Sequence, residues 1–229
     1  MKRSEINREL KWAKQLLKNN SIVLPPFGYW STEKWQAMSS AAQLIVKVML
    51  GWDITDYGRE NFRELGAVLF TLRNGSLENP LLGTPYAEKL ILLHDGQRLP
   101  LHYHASKTED IINRAGGVLV IKLYNSLPDG GVDYDSAVQA LVDGVEKTFS
   151  AGQEIELRVG SSITLRPFVY HIFGAKAGAG DLVCGEVSSI NDDYTDNYNA
   201  EEVSRFAVIQ EDEPALHPLC HEYRQLLGM

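Results

Sequence analysis

The sequence predicts a mainly β domain, an antiparallel β-sandwich or barrel with helices at its N-terminal and C-terminal ends. Between Gly66 and Ser189, short apolar runs recur with Gly, Asn and Asp turn signals between them. Many short strands at regular spacing are typical of antiparallel sandwiches and barrels. Helical spacing of apolar residues is restricted to the two ends of the chain, where it predicts flanking helices.

Composition limits the class of protein. With 229 residues and 44% hydrophobic content, one substantial domain is expected. The net charge of -8 argues against nucleic-acid binding, which needs a basic patch. No run of about 18 apolar residues predicts a membrane span, and the N-terminus lacks the apolar core of a signal peptide. Two cysteines, Cys184 and Cys220, cannot form a disulfide framework, so a cytoplasmic location is expected.

The N-terminal region predicts two helices. Ser4 is a candidate cap for the first helix. Four apolar residues follow at spacings of four, three and four, which places them on one helical face: Ile6, Leu10, Ala13 and Leu17. Pro25 and Pro26 end this helix, and Ser31 or Thr32 begins a second one that runs to Ala42. The aromatic connection between them is a candidate cover for a pocket mouth.

The remaining elements follow from alternation and turn signals. Residues 50–58 are interpreted as a loop, and Asp143-Gly144 predicts a type I′ hairpin. The predicted strands cover 67–72, 88–94, 117–124, 138–142, 145–149, 155–159 and 181–189. A C-terminal helix is expected over 217–227. The predicted organisation is a single domain, 1–229, with a helical extension at 1–60, a barrel at 66–190 and a C-terminal extension at 191–229.

A candidate metal site lies after the second of these strands. His102 and His104 are two apart in an extended run, so both side chains project from one face. Four turn-like residues later, Glu109 opens another apolar run, and a hairpin-like return would bring its carboxylate back over the imidazoles. Two His and one Glu suit a divalent ion such as Mn, Fe, Co, Ni or Zn. Ordinary strand polarity is the alternative interpretation of this His-x-His pair.

The glycines around these residues strengthen the metal interpretation. Gly96 stands six before His102 and Gly116 seven after Glu109, so the run resembles the first motif of the cupin superfamily, G-x5-H-x-H-x4-E-x6-G, at every specified position. This resemblance implies a cupin jelly-roll barrel and a fourth ligand, His171. The second cupin motif, G-x5-P-x-G-x2-H-x3-N, is partly kept: Pro167 is four residues before His171 instead of five, the inner Gly is absent, and Ala175 replaces Asn. A histidine in the core is the alternative for His171.

Three further segments, 51–58, 69–75 and 185–197, make the chain similar to the D-lyxose isomerase family of the cupin superfamily. The most specific is Glu-Val-Ser-x-x-Asn-Asp-Asp, which begins at Glu186. The resemblance implies a homodimeric, Mn²⁺-dependent aldose–ketose isomerase that interconverts free D-lyxose and D-xylulose, and often D-mannose and D-fructose. Other divalent ions, Co²⁺, Zn²⁺ or Fe²⁺, are alternatives. The ligands carried over by position are His102, His104, Glu109 and His171.

Isomerisation needs an acid and a base near the first two carbons of the sugar. Glu186, on the last predicted strand, is the candidate proton carrier. Lys107, two residues before the Glu109 ligand, is the candidate for stabilising oxyanion charge or relaying a proton. Asp192 and Asp193 are candidates for binding sugar hydroxyls. The structural alternatives are a surface Glu, a loop Lys and a turn formed by residues 191–193.

Two rival functions remain open at this point. The same ligands would serve another cupin metalloenzyme, either an Fe(II) dioxygenase or a phosphosugar isomerase. The phosphosugar isomerase needs cations facing the pocket, for which the candidates are Arg158, Arg166 and Lys176. A non-enzymatic sugar-binding cupin is the second rival, and it needs no base beside the metal.

Overall fold

The computed structural model describes residues 1–192 and 195–228. Its α-helices are α1 Arg3–Asn19, α2 Thr32–Ala37, α3 Gln43–Lys47 and α4 Tyr223–Leu227, with 3₁₀ turns at Pro26–Tyr29 and Cys220–Glu222. Its first seven strands are β1 Gly51–Thr55, β2 Ala67–Gly75, β3 Gly83–Leu93, β4 His102–Tyr103, β5 Glu109–Gly116, β6 Leu119–Ser126 and β7 Val132–Asp133. The rest are β8 Val138–Val142, β9 Val145–Phe149, β10 Ile155–Leu157, β11 Ser162–Leu165, β12 Val169–Ala175, β13 Leu182–Ser189 and β14 Tyr198–Asn199.

The strands form two antiparallel sheets. The larger sheet has the order β1-β2-β3-β13-β5-β11-β8-β9, and the smaller has the order β10-β6-β12-β4-β14, with β7 beside β6. Apolar side chains from both sheets form one core between them, with Ile91, Ile111, Leu123 and Phe173 among its buried members. This is the antiparallel double-sheet architecture that the sequence predicts, and strands such as β5, β6 and β8 bury every second residue in it.

Helix α1 covers the outer face of the larger sheet. Its predicted apolar face is buried as one stripe: Ile6, Leu10, Ala13 and Leu17. The stripe packs against Trp52, Phe70 and Leu92 of the sheet. Strands of the larger sheet are therefore covered by the core on one face and by α1 on the other. This packing holds in place the sheet that carries the candidate site described below.

Two capping and boundary predictions change. Helix α1 begins one residue before Ser4, whose hydroxyl donates to Asp212 at 2.7 Å instead of capping the helix. Ser31 does cap the second helix, since its Oγ accepts from Lys34 N at 3.3 Å. That helix ends at Ala37, and a turn separates it from α3, so the continuous helix to Ala42 is wrong.

Residues 50–58 were expected to be a loop, but the structure places strand β1 there. It pairs along its whole length with β2, from Gly51↔Thr71 to Thr55↔Ala67, and all five of its residues are buried.

The aromatic connection between the first two helices, residues 25–30, does not cover a pocket mouth. Phe27 stacks on Phe70 at 5.5 Å, on the outer face of the sheet.

The predicted C-terminal helix is shorter than expected. Helical structure starts at Cys220, after an extended Leu219, and Pro218 disfavours a helical conformation at the residue before it.

The hairpin at Asp143-Gly144 is as predicted, with positive φ at both residues (51° and 78°), as a type I′ turn requires. In the part of the chain that the structure describes, no helix combines the length and apolar character needed to cross a membrane.

Candidate active site

Three histidines meet at one point between the two sheets. His102 on β4 is the direct register partner of His171 on β12, and their Nε2 atoms are 3.1 Å apart. His104 follows β4, and its Nε2 lies within 4.8 Å of ligand atoms on the other two rings. All three residues are buried, with at most 9% of their surface exposed.

Glu109 reaches the same point from the larger sheet, where it begins β5. Its Oε1 is 3.1 Å from His171 Nε2 and 3.5 Å from His104 Nε2. Ligands at right angles around an ion, each bonded at about 2.1 Å, are separated by roughly 3 Å. The measured separations therefore have the size expected for neighbouring ligands of one ion.

The hydrogen bonds of the three rings fix their tautomers. Each Nδ1 faces a backbone carbonyl oxygen, at 2.9 Å for His102 and Pro100, at 3.0 Å for His171 and Val169, and also between His104 and Asp196. A carbonyl oxygen only accepts, so each Nδ1 carries the proton and each Nε2 keeps a lone pair. Burial lowers the pKa of His102 well below its usual value, which favours the neutral ligand form.

Glu109 Oε1 is a buried carboxylate oxygen with no hydrogen-bond donor among the described residues. Burial works to raise the pKa of Glu109, but the Lys107 ammonium outweighs it and holds this pKa well below the usual range. An ionised oxygen and three bare imidazole nitrogens thus converge with no hydrogen between them. This donor set fits a divalent cation, since such groups repel one another without one. Three N donors and one O donor suit Mn, Fe, Co, Ni or Zn better than Mg.

A chain of charged groups leads from Glu109 to the candidate base, Glu186. Lys107 Nζ donates to Glu109 Oε2 at 2.7 Å and to Glu186 Oε1 at 2.9 Å. Burial works to lower the pKa of Lys107, but both carboxylates outweigh it and raise that pKa. Burial also works to raise the pKa of Glu186, but the charges of Lys107 and Lys89 hold it below its usual value. At neutral pH this arrangement keeps both carboxylates ionised and Lys107 protonated.

Glu186 is not a surface residue, since it is 5% exposed. Lys107 does lie in the loop between His104 and Glu109, but it is buried there, with 4% of its surface exposed. Glu186 lies on β13, whose neighbour Ser188 donates its hydroxyl to Glu186 Oε1 at 3.3 Å. Sequence reasoning missed Lys89. It lies on β3 directly opposite Glu186, is 4% exposed and places Nζ 3.7 Å from Glu186 Oε1. The sequence does contain a signal for Lys89: it begins the apolar run 89–93 and shares a strand face with Ile91 and Leu93.

These groups line one cavity of about 570 Å³, part of which is open to solvent. Apolar walls come from Leu69, Ile91, Leu99 and Phe173, and further polar groups include Asn191, Asn197, Asn199 and Arg205. The cavity therefore combines a few charged groups at its base with amide groups that suit a polyhydroxy ligand.

The candidate sugar-binding aspartates have a different placement. Asp192 accepts from Thr195 N at 3.2 Å and from Thr195 Oγ1 at 2.5 Å, and it borders a neighbouring groove instead of the metal cavity. The bonds to Thr195 are those of a turn, and a role of Asp192 in sugar binding stays a prediction. Asp193 lies outside the described residues, so its role stays a prediction.

The cations expected of a phosphosugar site do not line the cavity. Arg158, Arg166 and Lys176 are absent from its lining, and Lys176 forms a surface ion pair with Glu156.

Arg205 does line the cavity, and its Nη1 lies 2.8 Å from the buried Asp53 carboxylate. The same carboxylate lies 3.5 Å from His221 in a second His, Cys and Asp cluster. Because a guanidinium already balances Asp53, we do not assign a second metal to that cluster.

Comparisons with known proteins place this geometry in a family. The model of the D-lyxose isomerase family matches residues 1–223. The D-lyxose/D-mannose isomerase of Escherichia coli O157:H7 is 44% identical over 226 residues, which are 98% of this chain and 99% of that protein. The D-lyxose/D-mannose isomerase of Serratia proteamaculans is 40% identical over 229 residues, with both chains fully covered.

Solved structures agree on the fold. The L-ribose isomerase of Acinetobacter sp. DL28, in complex with L-ribose, superposes with a TM-score of 0.61 at 14% identity, over 92% of this chain and 98% of that one. The L-ribose isomerase of Cellulomonas parahominis with L-ribose gives a TM-score of 0.55 at 19% identity and the same coverage. At these identities the likeness concerns the arrangement of strands and helices.

Proposed function

Because the chain belongs to the D-lyxose isomerase family and is a sugar isomerase, we propose that it is a metal-dependent enzyme for free aldoses. The proposed reactions interconvert D-lyxose with D-xylulose and D-mannose with D-fructose through an enediol. One observation carries the proposal: three imidazole lone pairs and an ionised Glu109 oxygen converge beside a buried Glu186–Lys107 pair in one cavity.

His102, His104, Glu109 and His171 are the proposed ligands of the ion, with Mn²⁺ as the expected metal and Co²⁺, Zn²⁺ or Fe²⁺ as substitutes. A divalent ion held there supplies a Lewis acid that polarises the sugar carbonyl. The amides of Asn191, Asn197 and Asn199 border the same space and are the proposed partners of the sugar hydroxyls.

Glu186 is the proposed base. Its carboxylate takes the proton from C2 of the aldose and returns it to C1, while a second proton moves from O2 to O1, so the ketose has the same atoms as the aldose. The conjugate acid of Glu186 exists only between these two transfers. Lys107 and Lys89 support this cycle because their charges keep the resting Glu186 ionised.

The proposed role of Lys107 is to position other groups, and it does not include direct contact with an oxyanion. Its three N–H groups face Glu109, Glu186 and, at 3.5 Å, Asn191 Oδ1. We therefore propose that Lys107 holds the metal ligand and the base in fixed relation. Lys89, which approaches Glu186 from β3 and lines the cavity, is the proposed cation beside the sugar.

The test is direct. Mn²⁺-loaded protein is incubated with a panel of free aldoses, and ketose formation is measured by chromatography. We expect conversion of D-lyxose and D-mannose; a protein that binds Mn²⁺ and sugar but forms no ketose would match the sugar-binding rival instead. In D₂O, proton transfer through the enediol brings deuterium into the product, whereas a hydride shift carries the substrate hydrogen across. A sheltered base can return the same proton, so only incorporation is decisive.

Two further predictions accompany this function. A homodimer is expected from the family resemblance and from the edge strands that an open sandwich leaves; β9 is such an edge, with four of its five residues exposed. Sedimentation at micromolar concentration tests it, and a monomer there contradicts it. A cytoplasmic location also stays a prediction, which cell fractionation would check.

A further inference from the structure

The loop between two proposed metal ligands is held by a residue from a distant part of the chain. Residues 105–108 connect His104 to Glu109 and include Lys107. Asp196 Oδ1 accepts from Ala105 N at 2.7 Å and from Ser106 N at 3.1 Å. Its Oδ2 accepts from Ser106 Oγ at 2.7 Å and from Lys107 N at 3.0 Å. One carboxylate therefore receives four donors from three consecutive residues of this loop.

The backbone of Asp196 acts on the metal ligand itself. Its carbonyl oxygen accepts the hydrogen bond from His104 Nδ1. This bond selects the tautomer in which His104 Nε2 is free to bind an ion, and it fixes the plane of the ring. The same residue thus orients a ligand through its main chain and holds Lys107 through its side chain.

The segment that carries Asp196 is fixed beside the site. Its continuation, β14, pairs with β4 in the register Asn199↔His102, and Ala200 N donates to Leu101 O at 2.9 Å. Asn197 and Asn199 line the cavity. Residues 195–200 therefore form a strap that links one wall of the sugar pocket to the ligand loop.

We propose that Asp196 is a positioning residue of the isomerase: by clamping residues 105–107 it sets the places of the His104 imidazole and the Lys107 ammonium, so that both metal affinity and turnover depend on it. Asp196 touches none of the proposed reacting atoms, and it acts through His104 and Lys107. The kinetic part of this inference rests on the proposed function, whereas the metal-affinity part does not need turnover.

The chain contains a matched control. Asp133 makes nearly the same clamp, with Oδ1 accepting from Asp135 N at 2.9 Å and Ser136 N at 3.0 Å and Oδ2 accepting from Ser136 Oγ at 2.5 Å. That clamp closes a local surface turn between β7 and β8 and does not line the cavity. A purely structural effect of losing such a clamp should appear equally in both variants.

The experiment compares Asp196→Asn with Asp133→Asn in the full chain. In Asp196→Asn one oxygen becomes an NH₂ group, which cannot accept from the two donors that it faces. Mn²⁺ affinity is measured by calorimetric titration without substrate, and kcat and KM by ketose formation. We expect Asp196→Asn to weaken Mn²⁺ binding and to lower turnover, each by about 10–100-fold, the usual cost of losing a partner that orients a ligand, with the kinetic loss mainly in kcat and less in KM. Asp133→Asn should leave both at wild-type values.

Each outcome of this experiment either supports the role of Asp196 or contradicts it. A wild-type Mn²⁺ affinity or a wild-type kcat in Asp196→Asn, or equal losses in the two variants, would overturn the inference. If Asp196→Asn does not fold, Ser106→Ala replaces it, because it removes only the hydroxyl donor to Oδ2. We expect a smaller but measurable fall in kcat or Mn²⁺ affinity there, and no change would count against the clamp. If wild-type protein binds Mn²⁺ but forms no ketose, the proposed function fails, while the affinity comparison still decides the role of Asp196.

Discussion

The most informative single change is Glu186→Gln. The glutamine keeps the shape of the side chain and an oxygen that accepts from Lys107, but it removes the group that takes the proton. A positioned acid–base group contributes about 10²–10⁴-fold to a rate. The expected fall in kcat is therefore about 10²–10⁴-fold, which corresponds to about 3–5 kcal/mol of transition-state stabilisation.

The structure also predicts what this change costs in stability. Lys107 loses one of its two carboxylate partners but keeps Glu109 at 2.7 Å. Breaking an isolated buried ion pair costs about 3–5 kcal/mol, and the retained partner should reduce this to about 1–3 kcal/mol. For a chain of this size, each kcal/mol lowers Tm by about 2–4 °C. The variant should remain folded at 25 °C, so a loss of activity can be assigned to chemistry.

The assay is initial-rate ketose formation from D-lyxose with saturating Mn²⁺, together with metal content by atomic emission. Because Glu186 is not a proposed ligand, metal content should stay at the wild-type level. Glu156→Gln is the matched control, since Glu156 is another strand glutamate in an ion pair, with Lys176, but at the surface. Unchanged turnover in Glu186→Gln would refute the assignment of Glu186 as the base.

Further predictions concern the metal, the second lysine and the acid stability of the fold. A chelator should abolish activity, and Mn²⁺ should restore it better than Mg²⁺, because imidazole binds Mg²⁺ poorly; full activity after exhaustive removal would contradict this. His104→Ala should lose the metal itself, measured as metal per chain, and not merely turn over slowly. Lys89→Met should raise KM for D-lyxose by about tenfold or more at unchanged metal content, and an unaltered KM would exclude contact with the sugar. Burial works to raise the pKa of Glu9, but its bond to His94 outweighs this and lowers the pKa below 4.5; ionised Glu9 therefore stabilises the fold above that pH, and the stabilisation is lost as pH falls below it. Urea unfolding of Glu9→Gln should show a weaker loss of stability than the wild type as the pH falls below 4.5, and an identical pH profile would refute this.

Much of the fold was predictable because its signals are local. Strand alternation, the Asp143-Gly144 turn and the buried stripe of α1 each depend on residues within a few positions of one another. Strand β1 was missed for the opposite reason. Its residues read as a loop because Asp53 interrupts the apolar run, and the aspartate is tolerated only because Arg205, far along the chain, pairs with it at 2.8 Å. A partner at such a distance leaves no local signal.

The candidate site likewise contains residues that local sequence predicts and residues that it does not. Spacing within one motif placed His102, His104 and Glu109 on facing strands, and the family pattern added His171 in spite of its irregular second motif. The missing glycine of that motif is compensated in the backbone, since Phe168 adopts φ 66°, a conformation that normally favours glycine. Asp196 could not be inferred from spacing, because its donors lie about ninety residues earlier in the chain. Lys89 had a local signal, a charge on a buried strand face, that only becomes meaningful with Glu186 opposite.

The charge balance of the cavity connects these residues to the reaction. Among the described residues at the base of the cavity, Glu109 and Glu186 carry two negative charges and Lys107 and Lys89 carry two positive ones, so the charges of these four groups cancel. A bound divalent ion then leaves two positive charges without a counter-charge in a largely buried site. A neutral sugar offers no full charge to them in the ground state, but it gains negative charge as the enediolate forms. The excess therefore stabilises the transition state more than the bound aldose, which is what catalysis requires. Removing either lysine should reduce this difference, whereas removing Glu186 should increase the positive excess and still abolish proton transfer.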